Sequence, residues 1–72
     1  MAKVTKETTI GELLRIEERA AYVLYASGMH CIGCPSSSGE SLEEAAFVHG
    51  MDCNELVDRI NEYLDRLAQA EA

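Results

Sequence analysis

Apolar residues recur along this 72-residue chain at helical spacing, and three capping motifs mark where helices begin. In each motif a Thr, Ser or Asp precedes a Glu by three residues, so the two side chains can bond to each other's backbone N–H groups. The motifs are Thr9 with Glu12, Ser41 with Glu44 and Asp52 with Glu55. The sequence therefore predicts helices that begin just after residues 9, 41 and 52.

The stretch after the first motif contains two apolar stripes that are out of phase. The stripe that starts at Ile10 is interrupted where Glu17 and Glu18 occupy the positions at which it should continue, and a second stripe covers residues 20–25. This slip predicts two short helices, or one bent helix, that end before Gly28.

The two later motifs open helices with well-defined apolar faces. The apolar face of the first comprises Leu42, Ala45, Ala46 and His49, and that of the second comprises Cys53, Leu56, Val57, Ile60, Leu64 and Leu67. Gly50 lies between them and suits the left-handed conformation that ends a helix. No segment alternates as a strand does, and only residues 3–5 are expected to be extended. We therefore expect an all-α fold, a small bundle of three to five short helices with a Cys-x-x-Cys loop between helices.

The length of the chain predicts a single domain. A chain of this size buries only about 60% of the surface that it exposes when unfolded, so the stability margin should be small. We expect one helical domain over residues 1–72, with its core at about residues 3–67 and a frayed tail at residues 68–72.

The charge of the chain excludes several classes of partner. Six Lys and Arg stand against 13 Asp and Glu, which gives a formal net charge of −7. Such a chain repels nucleic-acid phosphates and anionic lipid, so neither nucleic acid nor a membrane is an expected partner. No apolar run approaches the length of about 20 residues that spans a membrane, and residues 1–6 lack a signal-peptide apolar region. These features predict a cytoplasmic location.

The candidate chemistry lies in a window between Arg19 and Glu40 that contains no formally charged side chain. Within it, Cys31 and Cys34 form a Cys-x-x-Cys motif, a spacing that suits thiol–disulfide exchange, a structural disulfide or a shared metal ion. The cytosolic glutathione pool disfavours a purely structural disulfide, and an odd count of three cysteines does not fit a disulfide framework. A reversible redox pair is the preferred interpretation.

The neighbours of the two cysteines favour exchange chemistry, in which the attacking group is a thiolate. His30 is adjacent to Cys31 and is a possible modulator of its thiolate, while Pro35 suits the first position of a helical turn capped by Cys34. We expect Cys31 to be the attacking thiol and Cys34 the resolving one. A partner would dock on the uncharged segment around them.

Three alternatives to a redox pair remain open. The residues Cys31, Cys34, His49 and Cys53 have spacing that fits a zinc or iron–sulfur site, although His49 and Cys53 flank a helix end and both continue apolar stripes. The module could otherwise serve a non-redox protein interaction, or form a homodimer through an intermolecular Cys31 disulfide. Apart from the metal alternative, no cofactor is expected.

Four segments together resemble the hybrid-cluster-protein-associated redox disulfide domain, a small bacterial and archaeal family of otherwise unknown function. They are Gly28–Pro35 (GMHCIGCP), Ser41–Ala46 (SLEEAA), His49–Asp52 (HGMD) and Thr8–Leu14 (TTIGELL). The resemblance covers about residues 3–67. It is more specific than the Cys-x-x-Cys motif alone.

The resemblance implies a compact helical domain whose cysteines, here Cys31 and Cys34, cycle between dithiol and disulfide. It also implies an electron-transfer partnership with a larger redox or iron–sulfur protein, in particular hybrid cluster protein. On this interpretation the chain is an accessory module and not a stand-alone enzyme. Cys53 stands where relatives commonly have another residue, so it is not expected to be essential.

Overall fold

The structure is a computed structural model that describes residues 3–28 and 38–71. Four α-helices and one short 3-10 helix occupy this part of the chain: α1 at Ile10–Ile16, the 3-10 helix at Glu18–Ala20, α2 at Ala21–Ala26, α3 at Leu42–Val48 and α4 at Cys53–Glu71. The described residues contain no strand beyond a single antiparallel bridge between Thr9 and Ser41. The expected all-α fold is therefore confirmed, while the predicted Cys-x-x-Cys loop lies outside the described residues.

The three helix starts predicted from the capping motifs are confirmed. In the first two motifs the hydroxyl accepts the N–H of the Glu, and the Glu carboxylate accepts the N–H of the capping residue, as seen for Thr9 with Glu12 and for Ser41 with Glu44. In the third, the Asp52 carboxylate accepts the N–H of Glu55 at 3.2 Å. Each bond satisfies a donor that the first turn of a helix cannot pair internally.

The first two capping motifs also hold the starts of α1 and α3 side by side. The N–H of Ile10 donates to the carbonyl of Glu40 at 2.9 Å, and the N–H of Leu42 donates to the carbonyl of Thr8 at 2.8 Å. These bonds form the bridge at Thr9 and Ser41. Residues distant in the chain are thereby fixed at one end of the bundle.

The predicted interruption of the first helical stretch occurs at Glu17. This residue has extended backbone angles, φ −153° and ψ 103°, and its carboxylate accepts the backbone N–H of Arg19 at 2.9 Å. The Nε of Arg19 also donates to the Glu17 carboxylate, at 2.8 Å. Glu17 thus ends α1 and caps the 3-10 helix that leads into α2, and the prediction of two short helices is confirmed.

The Glu17 interaction predicts a pH dependence of stability. Hydrogen bonds from the side chain and the backbone N–H of Arg19 lower the pKa of Glu17 from 4.5 to about 2. Because the folded-state pKa is the lower one, the stabilisation is present above about pH 4.5 and is lost as the pH falls towards 2. We expect the thermal midpoint of the wild type to fall more between pH 5 and pH 2 than that of Glu17→Gln. Glu18→Gln changes an exposed neighbour, so its thermal midpoint should fall between pH 5 and pH 2 by as much as that of the wild type.

The core is aliphatic and is centred on one face of α4. Leu56 and Ile60 are fully buried and Leu64 is nearly so, while Cys53, Val57 and Leu67 of the predicted stripe are half-buried. The other buried apolar residues in the described ranges are Val4, Ile10, Leu13, Ala20, Leu24, Leu42, Ala45 and Ala46. All four helices therefore contribute to one core, with α4 as its longest element.

Helix α4 continues through Glu71, beyond the end of its apolar stripe. The carboxylate of Glu71 accepts a hydrogen bond from Nη2 of Arg19 at 2.6 Å, which ties the last turn of α4 to the 3-10 helix. None of the helices in the described ranges is long and apolar enough to cross a membrane.

The end of α3 agrees with the sequence pattern in one respect and differs in another. Gly50 has φ 66°, the left-handed conformation predicted for it. His49, however, is exposed, whereas the stripe placed it on the apolar face with Leu42, Ala45 and Ala46. The reason is that His49 is the C-cap of α3, so the helical periodicity no longer fixes the direction of its side chain.

Candidate functional site

The candidate thiols Cys31 and Cys34, together with the possible modulator His30, lie outside the described residues. Their pairing and their chemistry therefore remain predictions. The structure does describe the residues on either side of this segment, up to Gly28 before it and from Ser38 after it. These residues define the setting of the candidate site.

The last described residues before the thiols lie next to the turn between α3 and α4. Ser27 is the C-cap of α2, and it lines a cleft together with Gly50, Met51 and Asp52. Gly28 follows with φ 96°, a conformation that favours glycine. Ser27, four residues before Cys31 in the sequence, thus lies beside the N-terminus of α4.

After the candidate thiols, the described residues begin again at Ser38, which lies beside the first turn of α1. A Cβ atom on Gly11 would lie 3.0 Å from the carbonyl oxygen of Ser38, so the two backbones approach more closely than most side chains would allow. Glu40 then bonds to Ile10 through the bridge described above. The described residues that precede and follow the candidate thiols therefore both lie against helices of the bundle.

Cys53, the third cysteine, is held in a setting that favours the protonated thiol. It is the first residue of α4 and is half-buried against the core. Burial raises the pKa of the Cys53 thiol, and the negative charge of Glu43 raises this pKa further. Because the thiolate is the nucleophile and the metal ligand, Cys53 is poorly suited to either role at neutral pH.

The four-residue metal site remains a prediction, since two of its members lie outside the described residues. Of the other two, His49 is exposed at the end of α3, and Cys53 packs against the core. The described ranges contain no group of three or more His, Cys, Asp or Glu side chains that could hold a metal ion.

Sequence reasoning missed an exposed apolar patch at the end of α3. Phe47 is 85% exposed and Val48 is 68% exposed. The signal was present in the sequence: with Leu42, Ala45 and Ala46 on the inner face, steps of 100° place residues 47 and 48 on the outer one. The interpretation of α3 assigned its inner face and left these two residues without a role.

The fold of this chain is similar to that of a solved structure. The chain is similar to a protein from Clostridium thermocellum, the structural-genomics target CmR9, whose solution structure was determined by NMR. The two are 42% identical, the alignment covers 96% of this chain and 99% of that one, and the TM-score is 0.82. No curated protein matches the chain. A family model, Domain of unknown function (DUF1858), matches residues 4–57, and the chain belongs to this family.

Proposed function

We propose that this domain is a thiol–disulfide redox module in which Cys31 and Cys34 cycle between dithiol and disulfide. The observation that carries the proposal is the Cys-x-x-Cys pair within a window free of formal charge, in a chain that is otherwise strongly acidic. An acidic environment disfavours thiolate formation, so the absence of carboxylates near the pair in sequence favours exchange.

The described part of the structure supports this assignment in two ways. The half-buried Cys53 is kept as a thiol, which leaves Cys31 and Cys34 as the cysteines available for exchange. The described residues on either side of this pair in the sequence, Ser27 and Ser38, both lie against the bundle.

The chemistry proceeds by exchange through a mixed disulfide. The Cys31 thiolate attacks a disulfide such as oxidised glutathione and releases one glutathione thiol, and Cys34 then displaces the second, closing the Cys31–Cys34 disulfide. The protein loses two electrons and two protons, and glutathione disulfide gains them as two thiols. An iron–sulfur partner would have to accept both electrons, and the two protons would pass to solvent.

The partner in this proposal is a larger redox protein, hybrid cluster protein being the one that the sequence resemblance implies. The domain would then be an accessory that transfers electrons and not a stand-alone enzyme. Its net charge of −7 favours a partner with a basic docking surface over nucleic acid or an anionic membrane.

A redox titration of the metal-free protein in glutathione buffers tests the proposal. Thiols are trapped with a mass tag, and the oxidised pair is located by peptide mapping. We expect a reversible Cys31–Cys34 disulfide with a potential between about −300 and −180 mV, the range of exchange-competent dithiols. Cys53→Ser should titrate as the wild type does.

The double variant Cys31→Ser/Cys34→Ser provides the matched control. It should lose the two-electron titration while keeping the helical circular dichroism of the wild type. A pair that never forms in these buffers would refute the redox proposal. So would stoichiometric zinc or iron, bound after anaerobic purification without chelators, that is lost in Cys34→Ser.

A further inference from the structure

The exposed apolar patch on α3 consists of Phe47 and Val48, and we call it the α3 patch. Phe47 is the only phenylalanine in the chain, yet 85% of its surface remains exposed. The carbonyl of Phe47 accepts the N–H of Gly50 at 3.2 Å, so the patch is part of the ordered end of α3. Two adjacent exposed apolar side chains on one helix offer apolar contact area to a partner.

The charges around the α3 patch define the chemistry of its occupant. Glu43 and Glu44 lie one turn before Phe47 and Val48 on the same helix, and both are exposed. Lys6 pairs with Glu43 alone, its Nζ lying 3.8 Å from that carboxylate, and this pair is exposed, whereas the Glu44 carboxylate accepts the N–H of Ser41. The border of the patch is therefore acidic, and a complementary surface carries Lys or Arg.

The same charges disfavour a second copy of this chain as the occupant. Two copies that met through the α3 patch would each bring the exposed carboxylates of Glu43 and Glu44 to the border of the contact. Each copy also carries a net charge of −7, which adds repulsion at longer range. A cationic partner avoids both the repulsion at the border of the patch and the repulsion between net charges.

The end of α3 that carries the α3 patch lies near Ser27, which precedes the thiols in the sequence. Gly50, which bonds to Phe47, shares a cleft with Ser27, the residue before Gly28. The three peptide links from Gly28 to Cys31 span at most about 11 Å. A partner seated on the α3 patch therefore contacts the end of the molecule from which the chain leads to the thiols.

We propose that the α3 patch is the docking surface for the redox partner, which presents an apolar depression bordered by Lys and Arg. This inference rests on the proposed function and adds to it the surface that positions the partner. Docking through Phe47 and Val48 supplies apolar contact, and Glu43 and Glu44 orient the basic border. The thiols themselves are not needed for docking.

Binding to purified hybrid cluster protein, with the domain in its full-length form, tests the inference. We expect wild type to bind, Phe47→Ser to bind at least tenfold more weakly, and the affinity of wild type to fall as ionic strength rises. Glu43→Gln should reduce this salt dependence. Tyr22→Ser is the matched control, because it removes a 71% exposed aromatic residue from α2, and it should bind as wild type does. The double variant Cys31→Ser/Cys34→Ser should also bind normally.

Three outcomes would overturn the docking inference. They are no binding by wild type, equal binding by wild type and Phe47→Ser, and self-association of wild type that Phe47→Ser abolishes, which would identify a second copy as the occupant. The glutathione titration of the same proteins separates these outcomes from failure of the proposed function. Phe47→Ser should retain the wild-type potential, whereas loss of reversible titration in wild type itself would refute the redox proposal.

Discussion

Replacing Leu56 with Ala is expected to lower the free energy of unfolding by about 3–5 kcal/mol, the range observed when a buried Leu is truncated and a cavity remains. Leu56 is fully buried on the central face of α4. Its neighbours belong to a core to which all four helices contribute, so no single element can shift to fill the space.

The small size of the domain makes this loss severe. Stabilities of about 0.05–0.15 kcal/mol per residue imply a total of only about 4–11 kcal/mol for a chain of this length. We therefore expect Leu56→Ala to be largely unfolded in moderate urea, or without denaturant if the wild type lies at the lower end of that range. Urea denaturation monitored by circular dichroism measures the difference in free energy directly.

Leu67→Ala is the matched control for Leu56→Ala. It makes the same chemical change on the same helix, but Leu67 is only half-buried. The loss at Leu67 should be clearly smaller, because fewer contacts are removed and solvent can enter the vacated space. Equal losses at the two positions would show that helix propensity, and not burial, determines the cost.

Much of this fold could be predicted because the relevant interactions are local. A capping motif spans four residues and an apolar stripe repeats within one or two turns, so the starts of α1, α3 and α4 and the buried face of α4 follow from short stretches of sequence. The break at Glu17 was likewise visible as a slip of phase. His49 was placed wrongly because a periodicity cannot be extended past the residue at which the helix ends.

Features that depend on distant pairs could not be predicted in the same way. The bridge between Thr9 and Ser41 joins two helix starts 32 residues apart, and nothing local to either residue indicates its partner. The raised pKa of Cys53 depends on burial and on Glu43 of another helix. For the candidate site, the motif identifies Cys31 and Cys34, and the helical period of α3 places Phe47 and Val48 on its outer face. The exposed fractions of these two side chains follow only from the packing of the whole bundle.

Asn61 contributes to the stability of the fold in a way that the sequence pattern did not indicate. Its side-chain amide makes two hydrogen bonds to the backbone of Val4: the N–H of Val4 donates to Oδ1 at 2.8 Å, and Nδ2 donates to the carbonyl of Val4 at 3.0 Å. Val4 is 3% exposed and belongs to the core. The polar residue in the middle of α4 thus holds the N-terminal segment against the bundle.

Asn61→Ala is expected to lower the free energy of unfolding by about 2–3 kcal/mol, because two backbone groups beside a buried residue lose their partners. Asn54→Ala is the matched control: it makes the same substitution in the first turn of α4 at an exposed position, so it should leave stability nearly unchanged or raise it slightly through helix propensity. Urea denaturation gives the free energy of unfolding of both variants, and amide hydrogen exchange reports on the hydrogen bonds between Asn61 and Val4. The N–H of Val4 should lose protection in Asn61→Ala and keep it in Asn54→Ala. If its protection were unchanged in Asn61→Ala, the N-terminal segment would be held by the burial of Val4 alone, and the two hydrogen bonds would contribute little.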